Sequence, residues 1–359
     1  MKITTRDIAF FMMFILCFLS FSQCEKNENT TIIITELKKE SHKAIIDKYV
    51  TNGAKKYNYK FQMAEWQNQL DEGLQIDSTV AYLWQQKAMP YFKARKYEVG
   101  MKYLDKAVFY NPDRWLSYRA FIKCIFSKTY KAAIVDFEKC IETQGNSYVM
   151  DHTFNFYIAL SYLQLNEFEK SEKIFSIDIE NQKKEWGEAH FLDLFYLGIS
   201  KYEQGKWEEA ITEFDNSLQQ YPNFSDVEFY KTICLKRLGR VEEAKKLIKK
   251  ALELIEPISP TEIQKNIDDY YIIDVREPDE VSVSGKVKGA LNIPKGVIET
   301  AMKLDKEVKV DQPIVVYCES GNRAALAGKC LIEAGYTNIY NLGGFKDWVK
   351  AGGQIEVDA

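Results

Sequence analysis

The residues best suited to chemistry surround Cys318, which follows a β-branched apolar run and precedes a helical pattern that begins near Ala324. The segment between them predicts a small anion-binding loop, formed by Glu319, Ser320, Gly321, Asn322 and Arg323. Backbone N–H groups in the loop, the positive end of the helix and the Arg323 charge would all favour a thiolate. We therefore predict Cys318 as a nucleophile and the loop as its substrate-binding set. A buried cysteine at a strand end is the structural alternative.

The length of this loop separates two kinds of chemistry. Four residues lie between Cys318 and Arg323, whereas a cysteine phosphatase loop has one more and encloses a whole phosphate. The smaller ring favours one sulfur atom carried on Cys318. A phosphatase or an arsenate-handling enzyme stays open as an alternative on the same sheet.

The last hundred residues alternate between strand and helix patterns. Tyr270–Val275, Pro313–Tyr317 and Asn338–Asn341 read as strands, and Ala324–Ala334 reads as a helix closed by Gly335. Such alternation indicates an α/β domain with a parallel sheet. Ligands bind beyond the carboxyl ends of strands in these sheets, which is where Cys318 is expected.

A repeat occupies the middle of the chain. Ala210 and Phe214 recur as Ala244 and Ile248 after 34 residues, and glycines at 205 and 239 keep the same step. A period of this length with two helices is the tetratricopeptide signature. About six helix pairs are predicted, starting near residues 47, 81, 114, 152, 191 and 225.

Residues 47–257 therefore resemble the tetratricopeptide repeat family, which implies an α-helical solenoid whose inner face binds a peptide or a partner protein. By register, the predicted inner face carries Phe156, Leu160, Phe195, Ile199, Tyr202 and Phe229. The alternative is that these side chains pack on neighbouring helices or on the following domain.

Residues from about 259 to 353 resemble a single rhodanese domain. The resemblance rests on four motifs in order: Asp274–Glu277, Gly285–Pro294, Val316–Arg323 and Leu342–Trp348. It implies a persulfide mechanism without a cofactor or metal, in which Cys318 takes sulfur from a small donor and passes it to cyanide or a thiol. Arg323 would position the loop or an anionic substrate, and Asp274 and Arg276 would be structural. Glu319 departs from the family by placing a negative charge beside the nucleophile.

The first residues read as an export signal. Lys2 and Arg6 precede an apolar run from Ile8 to Leu19, which has signal-peptide length and is too short for a membrane span. Cleavage after Ser22 predicts a soluble periplasmic or secreted protein. Lipidation of Cys24 would give a membrane-anchored lipoprotein instead, and an uncleaved anchor is the third alternative.

Composition argues against two further classes of function. The net charge of −4 argues against a nucleic-acid binder, and three histidines argue against a histidine metal cluster. The predicted organisation is a signal peptide (1–22), an N-terminal segment (23–46), a repeat domain (47–257) and a rhodanese-like domain (258–359) that caps the last repeat. An exported sulfurtransferase with a protein partner is predicted, and a binding scaffold with an idle rhodanese-like domain is the alternative.

Overall fold

A computed structural model describes residues 38–222, 224–298, 301–302 and 307–357. Contacts divide the chain into two compact units, residues 1–154 and 155–359, and each is described by itself. The predicted signal peptide and Cys24 lie outside the described residues. Among the helices that the structure does describe, none is both long enough and apolar enough to cross a membrane.

The first unit consists of helices packed in antiparallel succession. Helical backbone at residues 38–46 continues into a wider turn at Asp47–Thr51, and α1 to α5 follow at Met63–Ile76, Ala81–Lys93, Tyr97–Tyr110, Pro112–Phe121 and Tyr130–Gln144. Two-residue strands β1 (Tyr148–Val149) and β2 (His152–Thr153) form a short hairpin after α5. Trp66 stands where the repeat pattern expects a small residue, yet it is buried and its Nε1 donates to the Gln86 carbonyl at 3.3 Å.

Three further helix pairs follow. They are α6 (Phe154–Gln164), α7 (Phe168–Trp186), α8 (Phe191–Glu203), α9 (Trp207–Gln220), α10 (Ser225–Arg237) and α11 (Val241–Leu252). Gly205 and Gly239 adopt φ of +75° and +74° at the turns within the last two pairs, a conformation that costs glycine little. The extra residues before the fifth repeat lengthen α7 to 19 residues. Six pairs in the described part of the chain confirm the predicted solenoid.

The C-terminal part is an α/β domain. Its strands are β3 (Glu256–Pro257), β4 (Tyr271–Asp274), β5 (Lys286–Val287), β6 (Leu291–Asn292), β7 (Ile314–Cys318), β8 (Ile339–Gly344) and β9 (Ile355–Glu356). Its helices are α12 (Pro260–Lys265), α13 (Pro278–Ser284), α14 (Asn322–Glu333) and α15 (Phe345–Lys350). In the described residues, five strands form one parallel sheet in the order β3-β8-β7-β4-β6, and β5 pairs separately with β9.

The central strand β7 is buried along its whole length, as a strand covered on both faces should be. Cys318 is its last residue, where the sequence pattern ended the strand at Tyr317. Helix α14 begins at Asn322 and therefore two residues before the predicted start. Only residues 319–321 remain as the turn between strand and helix.

Helix α14 packs against the last helix pair of the repeats. The Lys329 ammonium donates to the Glu228 carboxylate at 2.8 Å, and both side chains are buried. Gly328 allows close approach, because a Cβ there would lie 2.6 Å from the Ile255 side chain. The rhodanese-like part thus covers the last repeat, as the sequence predicts.

Candidate active site

Cys318 lies at the carboxyl edge of the parallel sheet, between the end of β7 and the start of α14. Its side chain is only 1% exposed, and its Sγ accepts a hydrogen bond from the Gly321 backbone N–H at 3.1 Å. Both the donor and the helix dipole present partial positive charge to the sulfur. The sulfur thus lies beside a backbone N–H donor and the start of a helix, and no histidine belongs to the C-terminal domain.

Glycines bring the active-site turn and the end of β8 into close contact. Gly321 has φ of +83°, and a Cβ there would lie 3.1 Å from the Gly343 Cα. A Cβ on Gly344 would lie 2.7 Å from the Glu319 carbonyl oxygen. Asn341 joins the two segments, since its Nδ2 donates to the Gly321 carbonyl at 3.2 Å and its Oδ1 accepts from the Gly343 N–H. The turn that holds the sulfur is therefore fixed from one side by β8.

Arg323 occupies the first turn of α14 and is engaged by a carboxylate. Both of its terminal nitrogens donate to Glu280 of α13, with Nη2 at 2.6 Å from Oε1. This pairing raises the pKa of Arg323, and the charges of Cys318 and Glu277 act in the same direction. Because the guanidinium is held by Glu280, it ties α13 to the active-site helix, which fits the predicted role of positioning the loop.

The other residues predicted for the loop differ in their exposure to solvent. Glu319 forms an ion pair with the exposed Lys346 at 2.6 Å, which offsets its negative charge beside the sulfur. Ser320 is exposed, and Asn322 is half-buried at the start of α14. Asn322 and Arg323 are thus helical, whereas the sequence pattern placed them in a loop.

Asp274 and Arg276 form a buried scaffold beside β7. The Arg276 guanidinium donates to the Asp274 carboxylate at 2.6 Å and to the Gly285 carbonyl at 2.7 Å. It also lies 4.1 Å from the centroid of the Phe345 ring. Neither side chain is more than 1% exposed, so neither can meet a substrate from solvent.

The predicted inner-face residues lie mostly in the core of the repeats. Three of them are buried among neighbouring helices rather than exposed on an inner face: Phe156, Phe195 and Ile199. Phe195 packs on Tyr230, and Phe156 packs on Tyr196. Inner-face and packing positions are adjacent on a helix, and these three side chains occupy the packing positions. They offer no accessible surface to a partner.

The remaining three predicted inner-face residues are half-buried. Leu160 and Tyr202 border the same core, and Tyr202 packs edge-on against Tyr230 at 5.2 Å. Phe229 packs against the core of the rhodanese-like part. Phe229 is therefore covered by the following domain, which was the stated alternative.

Three residues that sequence reasoning did not assign complete the site: Glu280, Asn341 and Lys346. Asn341 directly precedes the fourth quoted motif and Glu280 lies between the first two, but their partners are 20 and 43 residues away. An acidic residue in the first turn of α13 was the available signal for Glu280. Nothing in the local pattern identifies its partner as Arg323.

Comparisons with known proteins agree with this geometry. The rhodanese-like domain model matches residues 259–351, and a tetratricopeptide repeat model matches residues 201–255. A sulfurtransferase of Allochromatium vinosum is 34% identical over 86 residues, which cover 24% of this chain and 77% of that protein. The chain belongs to the rhodanese-like domain family, with tetratricopeptide repeats preceding the domain.

Two more proteins are similar to parts of this chain. A putative mitochondrial thiosulfate sulfurtransferase of Schizosaccharomyces pombe is 41% identical over 88 residues, covering 21% of this chain. The chain spans 61% of that relative, which is less than two thirds of its length. A tetratricopeptide repeat protein from Parabacteroides merdae has a TM-score of 0.46 at 14% identity, covering 61% of this chain and 81% of that one.

Proposed function

We propose that this protein is a sulfurtransferase that carries sulfane sulfur as a persulfide on Cys318, while its helical repeats recruit a protein partner. The observation that carries the proposal is the Cys318 Sγ, held at the edge of the sheet by the Gly321 N–H at 3.1 Å. A sulfur with a preorganised hydrogen-bond donor, in a domain without histidine, suits attack by a thiolate.

The proposed cycle has two displacements and no net oxidation. In the first, the Cys318 thiolate attacks the outer sulfur of a donor such as thiosulfate. An S–S bond forms to Sγ, the donor's own bond to that sulfur breaks, and sulfite leaves with the electron pair. In the second, a thiolate or cyanide attacks the outer sulfur, and the Cys318 thiolate is the leaving group. The Gly321 N–H stabilises Sγ when it carries charge before and after transfer.

Burial of Cys318 favours a sulfur carrier over a phosphatase. An outer sulfur would extend about 2 Å from Sγ, so the reacting atom of the loaded protein lies farther from the strand end than the thiol does. A phosphate would need a wider cradle and a free guanidinium. Four residues separate Cys318 from Arg323, and Arg323 is already paired with Glu280.

The test is the mass of the full mature chain after incubation with thiosulfate or with an organic persulfide. We expect a gain of one sulfur atom, reversed by cyanide, and loss of the gain in Cys318→Ser. Cys330→Ser is the matched control, because Cys330 is also buried in the C-terminal domain and lies on α14. Absence of loading from every donor would leave the idle scaffold as the better function.

We also propose that the protein acts outside the cytoplasm. The support is the charged N-terminus followed by a short apolar run and Ser22. Mass analysis of the N-terminal peptide from the exported protein separates cleavage after Ser22 from lipidation at Cys24. An intact Met1 in the cytoplasmic fraction would refute export.

A further inference from the structure

A groove opens in the first unit between the turns of two successive helix pairs. One side is the turn from α2 to α3, and the other follows a wide helical turn at Ile122–Phe126 and leads into α5. The groove encloses about 700 Å³, a volume typical of binding pockets. We call it the turn groove and define it by six of its lining residues: Arg95, Lys96, Val99, Met101, Thr129 and Ala132.

Apolar side chains in the turn groove remain partly open to solvent. Val99 is 38% exposed, and Tyr97 and Met101 also line the groove and are half-buried. The Phe126 ring stacks on Tyr97 with 6.4 Å between ring centroids, and it is 44% exposed. Burying such side chains against another apolar group removes them from water, which is favourable. The groove therefore suits an apolar side chain of another molecule.

Three cations at the turn groove have no carboxylate partner. Arg95 and Lys96 line the groove, and Lys128 lies in the chain between the lining residues Ser127 and Thr129. All three side chains are exposed, and none of them forms an ion pair within the described part of the chain. Their charges are thus available to an anionic group.

Two other charged side chains line the groove, and they do not cancel this excess. The Lys123 ammonium already lies 2.7 Å from the Asp136 carboxylate, so this pair adds no net charge. Glu98 contributes one negative charge against the three unpaired positive ones. The groove therefore complements an acidic segment and disfavours a basic one.

Two of the unpaired cations occupy backbone positions that glycine would fill more easily. Arg95 and Lys128 have φ of +58° and +54°, each in the turn within a helix pair. The corresponding turns of the last two pairs contain Gly205 and Gly239. A Cβ disfavours this conformation, and non-glycine residues held in it concentrate at functional sites. Both of these residues border the same groove.

We propose that the turn groove docks an acidic segment of a partner protein, with an apolar side chain in the groove and carboxylates beside Arg95, Lys96 and Lys128. The inference rests on the proposed recruitment of a partner by the repeats, and it specifies the surface and the chemistry of that partner. The groove belongs to the first unit, whereas all six predicted inner-face residues belong to the second. Its concave shape favours a protruding peptide side chain over a flat anionic membrane.

The experiment measures binding of three fluorescent peptides of equal length to the full chain by anisotropy. The first peptide has a central leucine between glutamates, the second has lysines in place of the glutamates, and the third has serine in place of the leucine. We expect the first peptide to bind about tenfold more tightly than either of the others at low salt. Its advantage over the lysine peptide should shrink as added salt shortens the screening length.

The double variant Arg95→Gly with Lys128→Gly separates binding from folding. It removes two cations, and glycine relieves the positive φ at both positions, so the Tm should be unchanged or higher. Affinity for the glutamate peptide should nevertheless fall about tenfold.

Two control variants should keep the affinity of the unchanged protein. Asn166→Gly makes the same backbone change, since Asn166 has φ of +60° in the turn within the next helix pair, which belongs to the second unit. Lys55→Gln with Lys56→Gln removes two exposed charges of the first unit that do not line the groove.

Equal binding of the glutamate and lysine peptides would overturn the inference, and so would unchanged affinity in the double glycine variant. An equal loss in the Lys55 and Lys56 variant would also overturn it, because a general charge effect would then explain the binding. Binding to phosphatidylglycerol vesicles without binding to the glutamate peptide would make a membrane the occupant instead. Sulfur loading on Cys318 is measured separately on the same protein, so failure of the sulfurtransferase proposal is distinguishable.

Discussion

Lys329→Met tests whether the last repeat and the rhodanese-like part form one cooperative body. The Lys329 side chain is 4% exposed and Glu228 is 7% exposed, with 2.8 Å between ammonium and carboxylate. Glu333 contributes a second contact at 3.1 Å. Removing the lysine leaves the Glu228 carboxylate buried without its cation, which typically costs about 3–5 kcal/mol.

This cost translates into a readily measured shift. The second unit has about 200 residues, for which 1 kcal/mol changes Tm by about 2–4 °C. We therefore expect Lys329→Met to lower the Tm of this unit by about 10 °C. The double variant Lys329→Met with Glu228→Leu should recover most of the loss, because it removes the unpaired charge as well as its partner.

The assay is calorimetry of the unchanged protein, Lys329→Met, Glu228→Leu and the double variant. Urea unfolding of the same four proteins at pH 7 gives their free energies of unfolding. Burial alone would lower the pKa of Lys329, but Glu228 and Glu333 outweigh it, and the pKa is raised. The stabilisation is therefore complete below the lysine pKa of the unfolded chain and is lost only as pH rises through the higher folded value. Two results would refute the reasoning. One is a loss of unfolding free energy below about 1 kcal/mol in Lys329→Met. The other is a double variant that loses as much stability as the two single variants added together.

Two further predictions concern backbone strain and a buried carboxyl. Gly321→Ala should destabilise the protein by about 1–2 kcal/mol and slow sulfur loading. The reason is that φ is +83° at this residue and the added Cβ would meet Gly343. An unchanged Tm together with an unchanged loading rate would contradict this prediction. Burial and the neighbouring Asp178 raise the pKa of Asp193 from 3.8 to about 7, so its folded state holds a proton that the unfolded state releases. The free energy of unfolding should therefore fall between pH 4 and pH 7 more steeply than in Asp193→Asn, measured by urea titration, and parallel curves would contradict it.

Local pattern was sufficient to place the nucleophile. The apolar run before Cys318 identified a buried strand, and the glycine-containing segment after it identified the turn into a helix. The helix nonetheless begins at Asn322, because the compact turn around Sγ needs only residues 319–321. The period of 34 residues likewise located the last two helix pairs, since their turns repeat a glycine at 205 and 239. The turns of three earlier pairs reach positive φ at Arg95, Lys128 and Asn166 instead.

The sequence alone could not identify side-chain partners that lie far apart along the chain. Arg323 was expected to be near the substrate, but its partner Glu280 lies 43 residues earlier and only the fold brings them together. Phe195 and Ile199 were assigned to an accessible face, yet helical register alone does not separate that face from the adjacent packing positions. Which side chains remain accessible depends on how neighbouring helices pack.

The strand that connects repeats and sheet is a poor template for pairing with another chain. β3 is the outer strand next to β8, and its second residue is Pro257. An open sheet edge is a template for another chain, because its free N–H and C=O groups can extend the sheet. Proline has no N–H to donate, and β3 is only two residues long, so this edge offers little to a passing strand. The chain thus passes from solenoid to sheet through a segment that discourages intermolecular β-pairing and the aggregates it would begin.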